Sequence, residues 1–316
     1  MTAVLVLCLL INFAQAPQET QPQEGRDHLL GKVATVRTEV AKFTEAGGEW
    51  VEGKRILSRV ESYDTEGRKT SREDFTEDGD RIGKLTFTYD AAGRLVESES
   101  YIGSERRGVP VKHYKSVHKY GDGGFEDERL DYLDGRLDAR TVYTYSTTAK
   151  DKRTEMVSYT ASGAIMSRTV YAYDAQGNQA EIVSYGPDGT VREKIVSSFD
   201  AGNRRTKTAH YDGAGTLVRE EVFDEKGEVV ESTSAESKAP GKYDSRYDAR
   251  GNMIETDYYD TNGKLRYKVS VEYEYDGEGN WTKRALSDCT YLADRTVCRR
   301  LGVTYRTFTY HEAGKR

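Results

Sequence analysis

The residues of this chain most suggestive of chemistry are an aspartate and a glycine in a repeated motif. Both follow an aromatic residue at a fixed distance. The phrase reads aromatic, Asp, two variable residues, Gly. Its strict copies contain the pairs Asp64 and Gly67, Asp90 and Gly93, Asp174 and Gly177, Asp212 and Gly215, Asp224 and Gly227, Asp248 and Gly251, Asp260 and Gly263, and Asp276 and Gly279. Repeated carboxylates suggest calcium binding or acid–base catalysis. An EF-hand, however, needs acids at alternating positions closed by a glutamate, and no segment has that order.

Turn formation explains the phrase better than a binding site does. An aspartate directly after a strand can accept a hydrogen bond from the backbone two residues on, and a glycine reaches positive φ without steric cost. A glycosidase would need two carboxylates at a fixed separation in a cleft, and no pair stands out among the 53 acids. We therefore predict a non-enzymatic chain with no catalytic, cofactor-binding or metal-binding residues and no cofactor.

The histidines and cysteines offer little further chemistry. His113 and His118 are five residues apart, which places them on opposite faces of a strand. Removal of Cys8 with a predicted leader would leave two cysteines, Cys289 and Cys298, on either side of a candidate hairpin tip in CTYLADRTVC. An even cysteine count in an exported chain favours a disulfide. The alternative is a pair of reduced thiols that never meet. No Cys or His spacing typical of a zinc site occurs.

The spacing of the aromatic residue predicts the elements that carry these turns. Most steps are about twelve or fourteen residues, enough for a strand plus a turn but not for a crossover helix. We predict an all-β fold, an extended, twisted antiparallel meander of about fifteen strands that curls towards a barrel or a spiral. The stretch GSERRGVPVKHYKSVHKYGDGGFEDE breaks the period and predicts a longer loop or an irregular hairpin.

Composition limits the classes of partner. The chain has 316 residues, 36% hydrophobic and 32% charged, with 23 tyrosines and a mean hydropathy of -0.78. These values favour a thin sheet over a deep core. Its net charge of -6 is interspersed along the chain without a basic stripe, which argues against nucleic acid or an anionic membrane surface as the main partner.

The chain divides into four predicted segments. Residues 1–16 resemble a signal peptide cleaved after Ala16, and residues 17–28 are a polar tether. Residues 29–285 form the repeat sheet, and residues 286–316 form a C-terminal hairpin that completes it. We therefore expect a secreted, periplasmic or cell-surface protein with no stable membrane span after the leader is removed.

Units such as YDAQGNQAEIVSYGPDGTVREK and YEYDGEGNWTKR resemble the RHS or YD-repeat family of exported bacterial proteins. This resemblance implies a spiralling antiparallel strip, which in large members forms a hollow shell around a toxic polypeptide. The present chain has far fewer repeats and no variable toxin-like tail, so encapsulation is not expected. YDTNGKLRY is also similar to the repeats of MORN-type antitoxin proteins.

The sequence therefore predicts an exported, non-enzymatic structural or binding scaffold at the bacterial cell envelope. Its partner would be an unknown protein or carbohydrate. Rows of tyrosine on successive strands could stack on sugars or peptides, while the alternative role for them is cross-strand packing. Two other functions stay open: a carbohydrate-active enzyme on a β scaffold, and a toxin-linked or immunity component suggested by family analogy.

Overall fold

The computed structural model describes residues 29–149, 151–227, 229–234, 241–260 and 262–312. The predicted leader and tether lie outside these ranges. The strands are β1 Val33–Ala41, β2 Phe43–Ala46, β3 Glu49–Glu52, β4 Ile56–Tyr63, β5 Lys69–Phe75, β6 Arg81–Tyr89, β7 Leu95–Ser104, β8 Val109–Tyr120, β9 Glu126–Leu133, β10 Arg136–Tyr145, β11 Arg153–Thr160, β12 Ile165–Tyr173, β13 Gln179–Tyr185, β14 Val191–Phe199, β15 Arg205–Asp212, β16 Leu217–Phe223, β17 Val229–Ser234, β18 Gly241–Tyr247, β19 Met253–Tyr259, β20 Leu265–Tyr275, β21 Trp281–Tyr291 and β22 Thr296–Tyr310. A single 3₁₀ turn, Glu105–Arg107, lies between β7 and β8, and no α-helix occurs in the ranges given.

Twenty of these strands form one closed antiparallel barrel. From β4 to β22 each strand pairs with the next, and β1 closes the ring by pairing with both β22 and β4. The predicted all-β, curled meander is therefore confirmed, and it curls far enough to become a barrel. Closure leaves the barrel without a free edge, which removes the unpaired backbone groups that an open strip would expose.

The barrel has more strands than the aromatic spacing predicted. The irregular stretch after Gly103 is the long hairpin of β7 and β8, and the gap between Phe223 and Tyr247 holds β17 and β18. The C-terminal hairpin consists of β21 and β22, so it begins at Trp281 rather than at residue 286.

A β-bulge follows the turn in fourteen of the hairpins and gives the repeat its shape. In the β12–β13 hairpin, Tyr173 pairs with Gln179 while Ala172 pairs with Glu181, so Ala180 is left without a partner residue. A bulge bends its strand, increases the local twist and re-aims the side chain beside it. Repetition of the bulge at so many turns accounts for the curvature that closes the sheet.

Strand alternation gives the barrel two unlike faces. On one face, large side chains are almost fully buried, such as Tyr143 and Tyr171 at 4% exposure each. The other face carries cross-strand ion pairs whose cations stay exposed, such as Arg168 with Glu155 and Lys207 with Glu220. In a single-layer sheet the concave side crowds its side chains most, so we assign the tyrosine face to the interior of the barrel and the ion pairs to its outer wall.

The two ends of the barrel are called here the first and the second rim. The turns at the first rim follow the even-numbered strands from β4 to β20, and those at the second rim follow the odd-numbered strands from β5 to β21. The small β2–β3 hairpin lies at the second rim, where Tyr305 donates a hydrogen bond to Glu52 and Arg300 stacks on Phe43. The tip of the β21–β22 hairpin lies at the same end, because β1 pairs with β22 only from Val303 onward.

Candidate functional site

The motif aspartates are bound to their own turns. In all eight strict copies the first carboxylate oxygen accepts a hydrogen bond from the backbone N–H two residues on, at 2.8 to 3.0 Å. In the seven copies where the structure describes the residue four positions on, it also accepts from the N–H of that residue. All eight motif glycines have φ between 73° and 97°. These carboxylates therefore shape the turns and are poorly placed to bind a ligand.

Several of these carboxyl groups have lowered pKa values. At Asp90, the backbone N–H of Arg94 is the largest cause, and the guanidinium of the same residue lowers the pKa further. At Asp248, burial raises the pKa, but hydrogen bonds from Tyr275 and Asn252 outweigh it and lower the pKa to about 2. Both groups stay ionised at neutral pH, so neither has the raised pKa that a general acid requires.

Tyrosines connect neighbouring hairpins at the first rim. The hydroxyl of Tyr89 donates to the backbone carbonyl of Lys69 at 2.8 Å. Equivalent bonds join Tyr120 to Leu95, Tyr145 to Glu126 and Tyr173 to Arg153. At the closure of the ring, Tyr310 donates to Asp276 at 2.7 Å. These five tyrosines therefore hold neighbouring parts of the rim together through their hydroxyls.

A different set of tyrosines faces outward near the second rim. Tyr159 follows Ser158, whose hydroxyl bonds the buried Thr141 on the inner face, so Tyr159 lies on the outer face. Its cross-strand partner is Ile165, which is 45% exposed. The same pairing of a tyrosine with an exposed aliphatic residue recurs on four successive hairpins. We call this set the outer row: Tyr132 with Leu137, Tyr159 with Ile165, Tyr185 with Val191, and Tyr211 with Leu217.

The inner wall carries polar networks between neighbouring strands. Asp74 accepts hydrogen bonds from Arg59 and Arg72, and Glu61 accepts one from Lys69 at 2.5 Å. Farther round the barrel, Asp131 is held by Arg129 and by Ser116. The sequence prediction missed these inward groups. An alternation signal existed for some of them, since Tyr143 and Tyr171 each stand two residues before a rim tyrosine.

A surface depression of about 580 Å³ lies over β18 to β20 and contains three acids, Asp248, Glu255 and Glu272. Asp248 is engaged by its turn and by Tyr275, and Glu255 forms ion pairs with Arg246 and with Lys268. Two of its three acids are thus already paired, which gives no support to a carboxylate-pair hydrolase at this place.

The remaining predicted residues lie apart from each other. His113 stacks on Tyr101 on the outer wall, and His118 bonds Glu126 on the inner wall. Cys289 and Cys298 are directly opposite each other in the β21–β22 hairpin and form a disulfide. In the ranges described, no group of three or more His, Cys, Asp or Glu residues is placed to hold a metal ion. Nor does any helix there have the length and apolar character needed to cross a membrane.

Comparisons with known proteins show little. No protein-family model and no curated protein matches the chain. A porin-like protein from Bacteroides uniformis is similar at 10% identity and a TM-score of 0.36, with 89% of this chain and 98% of that chain covered. A structure of TcdB2-TccC3-TEV has 9% identity and a TM-score of 0.24, covering 83% of this chain and 19% of that one. A porin-like protein from Bacteroides vulgatus has 12% identity, a TM-score of 0.21 and coverage of 89% and 98%. At TM-scores this low the similarities carry no argument about this chain.

Proposed function

We propose that this chain is an exported, non-enzymatic YD-repeat protein that serves as a binding scaffold at the bacterial cell envelope. The outer row is the single observation that carries the proposal. Four adjacent hairpins each present a half-buried tyrosine beside an aliphatic residue that is 37 to 45% exposed. A regular line of rings and aliphatic side chains on an outer wall is suited to contact with a carbohydrate chain or an extended peptide.

The rest of the outer wall supports this choice of surface. Cross-strand ion pairs such as Arg140 with Glu128 and Lys194 with Glu181 adjoin the outer row, with Arg140 opposite Tyr159 and Lys194 opposite Tyr211. Paired, solvated charges contribute little to stability and offer few uncommitted groups to a partner. The outer row therefore adds a regular line of exposed apolar contact area beside these committed charges.

A binding screen of residues 17–316 tests the proposal. The chain would be applied to a glycan array and to a pulldown from envelope extracts, next to the triple variant Ile165→Ser, Val191→Ser, Leu217→Ser. A matched control is Ile254→Ser, which removes an aliphatic residue that is 36% exposed near the first rim. We expect the triple variant to lose at least tenfold in affinity for the captured ligand and the control to keep it. Equal binding by the triple variant, or the absence of the wild-type chain from envelope fractions, would contradict the proposal.

A further inference from the structure

Arg153 occupies an unusual position on the inner wall. It is the cross-strand partner of Tyr145 at a bulge, and this bulge turns its side chain towards the inner face. Its guanidinium carbon lies 4.3 Å from the ring centroid of Tyr143 and 5.9 Å from that of Tyr145. The residue is half-buried. No carboxylate lies within 4.0 Å of it in the part of the chain that the structure describes, so its charge has no ion-pair partner there.

Polar groups next to Arg153 on β10, β12 and β13 lack acceptors. The hydroxyls of Tyr143 and Tyr171 and the amide nitrogen of Gln179 are buried with no acceptor for their hydrogens, and the Nε of Arg153 is in the same state. These three residues are only 4 to 5% exposed. Buried donors are nearly always paired, so a cluster of unpaired ones requires an explanation such as a bound ion.

The neighbouring acids are already committed elsewhere. Glu126 bonds the Nδ1 of His118 at 2.7 Å. Asp131 accepts from the Nε of Arg129 at 3.0 Å and from the hydroxyl of Ser116 at 2.5 Å. The cluster around Arg153 therefore has more hydrogen-bond donors than acceptors, and the carboxylates of Glu126 and Asp131 are engaged by other groups.

The tyrosines of the cluster remain donors at neutral pH. Burial raises the pKa of Tyr143, and Arg129 lowers it only in part. Burial likewise raises the pKa of Tyr171, while the charge of Arg153 and a hydrogen bond from its guanidinium to the phenol oxygen lower it in part. A protonated phenol can donate to an oxyanion in the same way as the guanidinium does.

We propose that Arg153, Tyr143 and Tyr171 form an anion-binding site on the inner wall of the barrel, which takes a carboxylate, phosphate or sulfate group of a ligand in the lumen. An oxyanion supplies charged acceptors for the free donors of the cluster and neutralises a half-buried guanidinium. Arg is the side chain best suited to such groups, because its planar fork can bond two oxygens at once. This site lies on the opposite face from the outer row and goes beyond the scaffold function proposed above.

Anion titration of the purified residues 17–316 tests the site. Sodium phosphate, sulfate and acetate would be added at constant ionic strength set with sodium chloride, and Tm would be recorded. A ligand that binds only the folded state raises Tm in a saturable manner. We expect Tm to rise and reach a plateau with at least one of the three anions. Comparison of the three anions shows whether the site prefers phosphate, sulfate or a carboxylate. If none of them raises Tm above the chloride reference, the proposal is wrong.

Two variants localise the effect. Arg153→Gln is expected to reduce the anion affinity at least tenfold, while the control Arg168→Gln, on the outer wall in an ion pair with Glu155, keeps the wild-type response. Tyr143→Phe removes a hydroxyl with no partner, so it should fold normally and still weaken the anion response. If Arg153→Gln does not fold, Arg153→Lys is tested in its place, because lysine keeps the positive charge but lacks the planar fork of the guanidinium. A wild-type response in both the Arg153 and the Tyr143 variants would overturn the assignment.

Discussion

The hydroxyl of Tyr89 donates a hydrogen bond to the backbone carbonyl of Lys69, 2.8 Å away on the preceding strand, β5. The β5–β6 ladder ends at Ser71 and Thr86, so the carbonyl of Lys69 lies beyond the last pair. The same relationship joins Tyr173 to Arg153, beyond the last pair of the β11–β12 ladder. The rim tyrosine therefore satisfies a backbone group that the sheet leaves open.

Loss of this hydroxyl should cost measurable stability. We expect Tyr89→Phe to lower the free energy of unfolding by about 1 kcal/mol, the usual net value of one partly buried hydrogen bond. The matched control is Tyr143→Phe, measured without added anion, because its hydroxyl makes no hydrogen bond. Urea unfolding followed by circular dichroism measures both. An equally large loss in the control would show that the hydrogen bond to the carbonyl is not the source of the effect.

Glycine at the end of the motif should matter only for its backbone. Gly215 has a φ of 80°, and no atom lies within 4 Å of a Cβ placed there. Gly215→Ala is therefore expected to cost about 1 kcal/mol through conformational strain alone. Gly277 in another turn also has open space, but its φ is not positive, so Gly277→Ala should be neutral or slightly stabilising. Chemical unfolding measures the change in the free energy of unfolding for each variant. Equal changes in the two variants would contradict the turn interpretation.

Acid should destabilise the barrel through its turns. The pKa of Asp248 is lowered from 3.8 to about 2, and those of Asp64, Asp90, Asp174 and Asp260 are also lowered. A carboxyl with a lowered folded-state pKa contributes its stability fully above the unfolded value and loses it as pH falls through the folded value. The urea midpoint should thus be flat above about pH 5 and fall between about pH 4 and pH 2.

The substitution Asp248→Asn checks the origin of this dependence. It should lower the midpoint at pH 7 and make the fall below pH 4 shallower, because one of the titrating groups has gone. Glu225→Gln is a suitable control, since Glu225 is an exposed turn residue whose carboxylate is 88% accessible. A low-pH slope that is the same in Asp248→Asn and in the wild type would contradict the assignment to the turn aspartate.

The disulfide should stabilise the end of one hairpin. Cys289 and Cys298 are nine residues apart, and a loop of this size corresponds to about 2 to 3 kcal/mol in the chain-entropy model. Because the tip lies beyond the strand β1 that closes the ring, Cys289→Ser with Cys298→Ser should mainly speed amide hydrogen exchange in β21 and β22 near the tip. Exchange in β12 and β13 serves as the internal reference. Unchanged exchange at the tip would show that the bond is dispensable there.

The sequence could predict strands and turns because both depend on local chemistry. The aspartate that follows a strand bonds an N–H only two residues away, and the positive φ of the following glycine is a property of a single residue. Alternation in LRYKVSVEYEY is likewise typical of one half-buried strand, and in β20 Val271 and Tyr273 lie on the same face. Such patterns need no knowledge of the rest of the chain.

Tertiary structure decided whether the meander closes and which tyrosines are available for binding. Closure brings β1 beside β22, whose paired residues Val36 and Phe308 are far apart in the sequence, so no local pattern reports it. Bulges at the turns re-aim residues such as Arg153 towards the inner face, which simple alternation would place outside. The aromatic residue of the repeated motif therefore has two roles: its side chain points inward at the first rim and outward at the second. Only the direction of each strand in the closed barrel decides which role a given copy has.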